Sequence, residues 1–278
     1  MKLVYSIQTG LKNNMINFIY GMVIGSSMLI PGISGGTTAI IIGIYDRLII
    51  AVSGLIKKPK QNIPFLLTVL SGGAAGALLF SGAALKIMSV FPTASMFFFI
   101  GAIIGSIPLL IKRSGIGKKN LYNALFALTG TSAAVILFFM PDSASQRDSG
   151  PIMLMLSGMI IATALVLPGI STSHILLVLG MYESVLSSIR SGDISYLAFI
   201  AAGAFAGIII TVKITEKALN RFPCQTYMII IGFVISSVYE LIPRSINNGY
   251  IPVYILLCAA GAILTFTVSF SSCRADHQ

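Results

Sequence analysis

The sequence predicts an all-α polytopic membrane protein made of two inverted-topology repeats. Composition is the first reason: 56% of the 278 residues are hydrophobic, 9% are charged and the mean hydropathy is +0.93, whereas a soluble domain carries roughly 25% charged residues. The second reason is a series of apolar runs near the length, about 20 residues, that a helix needs to cross a bilayer. The third is an internal duplication whose two copies share one interrupted apolar segment. The alternating pattern of a membrane β-barrel does not occur.

A short motif interrupts the apolar sequence twice. The first motif reads PGISGGTT over residues 31–38, and the second motif reads PGISTSH over residues 168–174. Proline removes a backbone donor and glycine loosens the chain, so a helix is expected to break in each copy. The breaking residues are Pro31, Gly32, Pro168 and Gly169. Broken helices at corresponding positions of two halves indicate a transporter binding site, because freed backbone groups inside a membrane need protein or a water-filled cavity to satisfy them.

The apolar segments fall into two matching sets along the chain. Each set has two short pieces around a motif and then three full spans. The segments are 14–31, 37–55, 62–84, 93–111 and 121–140, followed by 152–168, 173–189, 195–212, 225–242 and 251–270. The pieces beside each motif are short for a complete crossing. The ranges 14–55 and 152–189 are therefore predicted to form re-entrant or broken-helix hairpins.

The duplication extends well beyond the two motifs. Matching residues are 137 positions apart in the hairpins, as Pro31 and Pro168 are, and 131 positions apart afterwards, because the first half has a longer loop. At the second offset the pairs include Gly72 with Gly203, Gly101 with Gly232, Arg113 with Arg244, and Gly130 with Gly261. The sequence therefore predicts a first repeat over 1–140, a linker over 141–151 and a second repeat over 152–278.

Topology follows from the number of crossings and from charge. Each half contains an odd number of crossings whether its hairpin counts as zero or two, so the second half inserts upside down. With both termini in the cytoplasm, 14 of the 18 lysines and arginines lie in cytoplasmic loops and 4 lie outside, which is the usual bias of short loops. The same distribution accounts for the net charge of +10 without a nucleic-acid partner. We expect a multi-pass protein with both termini cytoplasmic.

Each motif is expected to place the start of a new helix at membrane depth, from Thr37 and from His174 onward. The first N–H groups of a helix have no partner within it and carry partial positive charge, so they favour an anion such as phosphate or carboxylate. The candidate binding residues are Ser34, Gly35, Gly36, Thr37, Thr38, Ser171, Thr172, Ser173 and His174. The alternative is that the motifs only kink the helices and that their hydroxyls only cap them.

Few ionisable residues lie near the hairpins. Asp46 and Glu183 share the context Gly-x-Tyr-acid, each about nine residues, or roughly 13 Å, along the helix that starts after its motif. With His174, a residue type that can change its charge near physiological pH, they are candidates for a coupling proton or sodium ion. Arg47 is a candidate guide for an anionic headgroup. The alternative is that these residues anchor the hairpins at the membrane face. The three cysteines lack metal-ligand spacing, and neither a metal nor a cofactor is expected.

The stretches PGISGGTTAIIIGIYDRLI and LPGISTSHILLVLGMYESVL resemble the paired signatures of the bacterial polyprenyl-phosphate transporter family, formerly membrane proteins of unknown function. The resemblance covers essentially the whole chain. It implies a protein of the bacterial plasma membrane that returns undecaprenyl phosphate from the outer to the cytoplasmic leaflet, where the lipid is reused for peptidoglycan and other envelope polymers. The family pattern Pro-Gly-x-Ser-Gly fits the first motif, but Thr172 stands at the glycine position of the second. That difference argues against strict equivalence of the two half-sites.

Two other functions compete with this one. PGISGGTT also resembles the Pro-Gly-x-Ser-Arg-Ser-x-x-Thr signature of membrane undecaprenyl-pyrophosphate phosphatases. Here Gly35 and Gly36 replace the arginine and the serine, and no E-x-x-x-E pair occurs. Phosphoryl transfer needs a cation and a nucleophile or base, so the sequence predicts a protein that is not an enzyme. A transporter of a small soluble anion remains open, because paired helix N-termini serve a carboxylate equally well.

Overall fold

The computed structural model describes residues 14–28, 34–115, 121–140, 150–243 and 248–275, and the regular elements within them are helices. A 3-10 turn, Asn248–Tyr250, precedes the last one. The α-helices are α1 (Asn14–Ser27), α2 (Gly35–Ile41), α3 (Tyr45–Ser53), α4 (Pro59–Val90), α5 (Pro92–Ser114), α6 (Leu121–Phe138), α7 (Pro151–Val166), α8 (Thr172–Val178), α9 (Tyr182–Ser191), α10 (Ile194–Arg221), α11 (Pro223–Glu240) and α12 (Ile251–Ala275).

The described helices confirm a multi-pass membrane protein. Four of them, α4, α5, α10 and α12, are long and apolar enough to cross a bilayer, and the number rises to six if each of two bent pairs is one span. The other two predicted spans, α6 and α11, are not among the four. Each has 18 residues, about 27 Å of helix against a hydrocarbon core of about 30 Å.

In each hairpin, the segment that follows the motif contains a bend that the sequence does not predict. The ranges 37–55 and 173–189 were expected to be single helices, but α2 meets α3 at 119° and α8 meets α9 at 105°. Gly43 and Gly180 lie at these bends with φ of +87° and +65°, a conformation that glycine adopts without a Cβ clash. Asp46 and Glu183 therefore lie in the first turns of α3 and α9, and the expected position 13 Å along one helix is wrong.

Two connections have the same geometry at positions 131 apart. A single phenylalanine joins α4 to α5 and α10 to α11, with φ and ψ of −128° and 58° at Phe91 and of −134° and 60° at Phe222. Pro92 and Pro223 follow them and open the next helices. Proline favours the first helical position and excludes the α conformation from the residue before it. The shared Phe-Pro pair thus ends one helix and begins the next in both halves.

Corresponding helix pairs pack against each other, at positions that are 137 and 131 residues apart in sequence. The closest pairs are α1 with α4, α7 with α10, α5 with α12, and α6 with α11. At these contacts glycines let backbones approach closely: a methyl group built on Gly101 would lie 1.9 Å from the carbonyl oxygen of Cys258, and one on Gly232 would lie 2.1 Å from that of Ala127. Such small residues are typical of membrane helix interfaces. The other corresponding contacts are Gly21–Val69 with Gly158–Ile200, Gly72–Phe18 with Gly203–Met155, Gly76–Met22 with Gly207–Met159, and Gly130–Ile229 with Gly261–Phe98.

The main core surrounds α2. Ile40 of α2 is 1% exposed and packs within one apolar cluster with side chains of α5 and α11, among them Ile103 and Val234. Large apolar side chains on the outer helices are exposed instead, such as Leu78 at 80% and Ile194 at 78%. An extended exposed apolar surface matches contact with lipid. Residues 34–38 of the first motif therefore lie inside the protein, enclosed by the lipid-facing helices.

Candidate functional site

The hydroxyls of the first motif are buried and hydrogen-bonded to the second motif. Ser34 caps α2 by accepting from the backbone N–H of Thr37 at 3.1 Å, and the two hydroxyls lie 2.9 Å apart. The backbone N–H of Gly169 donates to both, at 3.1 Å to Ser34 Oγ and 3.0 Å to Thr37 Oγ1. A buried N–H needs such acceptors. These two hydroxyls therefore join the halves of the chain.

Close backbone packing accompanies these bonds. A methyl group on Gly36 would lie 3.2 Å from Cα of Pro168, and one on Gly169 would lie 2.3 Å from the carbonyl oxygen of Phe233. Gly169 also has φ of +81°, so a side chain there meets both strain and a clash. Thr38 is tied to the end of α1, where its hydroxyl lies 2.7 Å from that of Ser27. Gly36 thus lets the first motif approach the second, and Gly169 lets the second motif approach α11.

The second motif is more open. Ser171 caps α8, accepting from the N–H of His174 at 3.5 Å, and its hydroxyl lies 3.0 Å from that of Ser173. Ser173 is exposed, whereas Ser171 and Thr172 are half-buried. Equivalent positions of the two motifs therefore differ: the buried hydroxyls of the first bind backbone, and those of the second lie nearer the surface.

His174 is held by α6. Its ring stacks on Phe138 with centroids 4.9 Å apart, and Nε2 lies 3.1 Å from the carbonyl oxygen of Leu137. Because a carbonyl oxygen only accepts, this hydrogen bond requires the proton on Nε2. The second ring nitrogen, Nδ1, is then the acceptor of the neutral ring.

A cleft opens beside the second motif, between α6, α8 and α11. Its polar side chains come from the motif and from the end of α11, and its remaining wall is largely apolar. We call it the α6–α8–α11 cleft, lined by Ala134, Val135, Leu137, Phe138, Gly169, Ile170, Ser171, His174, Ile175, Ser236, Ser237, Tyr239 and Glu240. Small-molecule sites commonly combine an apolar wall with a few convergent polar groups.

Sequence reasoning missed Glu240. Its carboxyl is half-buried, within hydrogen-bonding reach of the Ser171 hydroxyl, and it faces His174. No motif marks this residue. The available signal was a lone acid at the end of the predicted span 225–242, since ionisable residues in membrane segments are rare and often functional.

Asp46 lies in a separate buried cluster. Its carboxylate accepts from the Tyr227 hydroxyl at 2.7 and 2.8 Å and pairs with the Arg113 guanidinium at 3.1 Å. Arg113 also donates to the carbonyl of Gly43 at 3.2 Å. A buried carboxylate needs such compensation. Sequence reasoning missed Tyr227, and it marked Arg113 only as one member of a repeated pair.

Glu183 and Arg47 have other surroundings. Glu183, which matches Asp46 in sequence, is exposed at the start of α9. Arg47 donates to Asn17 Oδ1 at 3.2 Å, and its guanidinium lies 4.1 Å above the ring of Phe65. It therefore contacts α1 and α4. Pro31 and Gly32 lie outside the described residues, and within the described ranges no cluster of three histidine, cysteine or acidic residues forms a metal site.

Comparison with known proteins identifies the family to which the chain belongs. Residues 24–251 match the family described as VCA0040-like, undecaprenyl phosphate translocase-like. The chain is 30% identical over 248 residues to the polyprenyl-phosphate transporter of Staphylococcus aureus (strain NCTC 8325 / PS 47), with 84% of this chain and 88% of that protein covered. It is 26% identical over 245 residues to the polyprenyl-phosphate transporter of Vibrio cholerae serotype O1, with 83% and 78% covered. No solved structure matches the chain significantly.

Proposed function

Because the chain belongs to the undecaprenyl phosphate translocase-like family, we propose that it is a flippase that returns undecaprenyl phosphate from the outer to the cytoplasmic leaflet of the bacterial plasma membrane. There the lipid is reused for envelope polymers such as peptidoglycan. Relatives named polyprenyl-phosphate transporters align over more than four-fifths of the chain. The observation that most supports this proposal is the α6–α8–α11 cleft, where hydroxyls and a histidine lie beside an apolar wall.

The residues that line the cleft match the two parts of a lipid phosphate. Ser171 offers a hydrogen bond to a phosphate headgroup, and His174 offers one from Nδ1 when both ring nitrogens carry a proton. Val135 and Phe138 offer an apolar wall to the prenyl chain. The side chain of Phe139, directly after α6, is 66% exposed, so a chain leaving the cleft meets a lipid-facing surface. This apolar surround favours an amphiphilic substrate over a small soluble anion. Ser173 and Thr172 complete this half of the site, and the buried hydroxyls of the first motif would form the other half in another conformation.

The fold of the transporter is proposed to be an inverted repeat with boundaries at 1–140 and 152–278. The corresponding glycine contacts and the shared Phe-Pro connections support the duplication. The odd number of crossings and the charge bias support the inversion, with both termini cytoplasmic. In that topology the cleft lies beside the predicted outer linker 141–151 and faces the leaflet from which the lipid is loaded. The Asp46 cluster then lies at the cytoplasmic end.

Net inward transport needs a driving force. Moving a negative charge into a cell that is negative inside costs about 2.3 kcal/mol per charge per 100 mV. Coupling to a proton or sodium ion, or consumption of the product in the cytoplasm, would supply it. The proposed coupling residues are Asp46, Glu183 and His174. The contacts of His174 within the cleft favour it as the first to test.

The proposal excludes phosphate cleavage. The relatives are named transporters, and Gly35 and Gly36 occupy the positions of the phosphatase arginine and serine. The test uses purified protein in liposomes containing labelled undecaprenyl phosphate, with leaflet exchange and phosphate release measured with and without a pH gradient. We expect exchange above empty liposomes and no phosphate release. Folded protein that gives no exchange, or that releases phosphate, contradicts the proposal.

A further inference from the structure

A carboxyl group occupies the polar part of the proposed phosphate site. Glu240 is the last residue of α11. Its side chain is half-buried in the α6–α8–α11 cleft, where it neighbours the Ser171 hydroxyl and faces His174. The Ser171 hydroxyl and, when both ring nitrogens carry a proton, His174 Nδ1 are the donors that the proposed function assigns to phosphate. An ionised carboxylate accepts the same hydrogen bonds as a phosphate oxygen, so the two anions compete for one set of donors.

The described residues that line the cleft carry little charge that could offset two anions. The other titratable side chains that line it are His174 on α8 and Tyr239 on α11, and α6 contributes apolar side chains and the Leu137 carbonyl. His174 Nε2 is already bonded to that carbonyl, so Nδ1 is its remaining polar atom. Arg244, the next charged residue along the chain, lies outside the described residues.

The charged residues of the helices packed on α11 lie near its opposite end. Arg113 of α5 pairs with Asp46 beside Tyr227, and Tyr227 is 13 residues before Glu240, about 20 Å along the helix. Glu216 of α10 lines a second cleft that also contains Tyr227. Among the described residues that line the α6–α8–α11 cleft, Glu240 is therefore the acid whose protonation state sets the negative charge there.

We infer that Glu240 is a substrate-binding residue that acts in its protonated form, an inference that rests on the proposed function. A protonated carboxyl donates its O–H to a phosphate oxygen, whereas a carboxylate repels the phosphate and occupies its donors. One proton from solution joins a Glu240 oxygen when the headgroup enters the cleft, and it returns to solution when the headgroup leaves. Loading of the lipid is thus linked to pH at this residue.

Lipid binding by the wild type is expected to weaken as pH rises. As pH rises, Glu240 ionises in the empty cleft, and lipid binding must then take up a proton. Binding therefore weakens with rising pH, by up to about tenfold per pH unit for one linked proton. The phosphate ester itself ionises near pH 6, but that contribution is the same for every variant. The ratio of affinities between two variants isolates Glu240.

The experiment measures equilibrium binding of radiolabelled undecaprenyl phosphate to the purified full-length protein between pH 5 and pH 9. It compares the wild type with Glu240→Gln and with Glu216→Gln. Glu216 is a matched control, because it is also half-buried and bonded to a serine hydroxyl, that of Ser53. We expect equal affinities at pH 5. At pH 9 we expect at least tenfold weaker binding by the wild type and by Glu216→Gln than by Glu240→Gln.

Three results would overturn the inference. One is Glu240→Gln protein with the pH slope of the wild type, which assigns the slope to another group such as His174. The second comes from Glu240→Asp, which keeps a titratable carboxyl and replaces the glutamine variant if that variant does not fold. If lipid binding by Glu240→Asp no longer depends on pH, the inference is contradicted. The third is wild-type protein that binds no undecaprenyl phosphate at any pH, which contradicts the proposed function as well. The first two leave the proposed function standing.

Discussion

The Tyr227 hydroxyl donates to both carboxylate oxygens of Asp46, at 2.8 and 2.7 Å, across 181 positions of sequence. This bond connects the first hairpin to α11, and Arg113 completes the cluster from α5. The matching acid of the second half, Glu183, is exposed. Equivalent sequence positions thus carry one buried, paired acid and one exposed acid.

The first prediction uses this difference. Asp46→Asn should lower the stability of the detergent-purified protein strongly, by about 3 kcal/mol, because the Arg113 guanidinium loses its buried counter-charge. Glu183→Gln should change stability by no more than about 0.5 kcal/mol, as exposed substitutions usually do. Thermal unfolding of both variants provides the measurement. Equal melting temperatures would contradict the importance of the cluster.

The second prediction concerns the bond between the motifs. Either Ser34→Ala or Thr37→Ala leaves one acceptor for the Gly169 N–H, whereas the double variant leaves that buried N–H without either. An unsatisfied buried donor costs about 1–3 kcal/mol, so the double variant should lose more stability than the two single losses combined. Ser173→Ala is the control, because that hydroxyl is exposed. Strict additivity in thermal unfolding would count against a shared role of the two hydroxyls.

The third prediction separates strain from steric clash at glycine. Gly169 and Gly115 both have positive φ, but a methyl group at Gly169 meets the Phe233 carbonyl and one at Gly115 meets no atom within 4 Å. Gly115→Ala should therefore cost only the conformational penalty, about 1–2 kcal/mol. Gly169→Ala should destabilise the protein more and abolish lipid exchange, because it displaces the N–H that binds Ser34. Melting temperature and exchange in liposomes test both variants.

The fourth prediction tests the inversion. Lys57 and Arg190 are exposed residues that follow the first and second hairpins. In a background whose three native cysteines are replaced by serine, Lys57→Cys should react with a membrane-impermeant thiol reagent only from the cytoplasmic side, and Arg190→Cys only from outside. Labelling of intact cells and of inverted vesicles distinguishes the sides. Reaction of both cysteines from one side would exclude an inverted repeat.

Much of the fold was predictable because the information is local. Apolar runs of the right length predicted the helices, and proline after Phe91 and Phe222 marks where one helix yields to the next. The two offsets in the sequence also anticipate the glycine contacts, although they do not say which helices meet. The second bends were not anticipated. Gly43 and Gly180 lie inside apolar runs, where a glycine is compatible with either a continuous or a broken helix.

The sequence by itself determined the membrane class, the motifs and the family, and it predicts the duplication, because these depend on composition, spacing and local backbone preference. Only the tertiary structure decided what each polar group contacts. Ser34 and Thr37 bind the Gly169 N–H, Asp46 joins Tyr227, and Glu240 faces His174. These contacts depend on which helices pack together and on how far each helix is shifted along its neighbour. Helix packing is set by summed side-chain contacts along whole helices, which no single motif encodes.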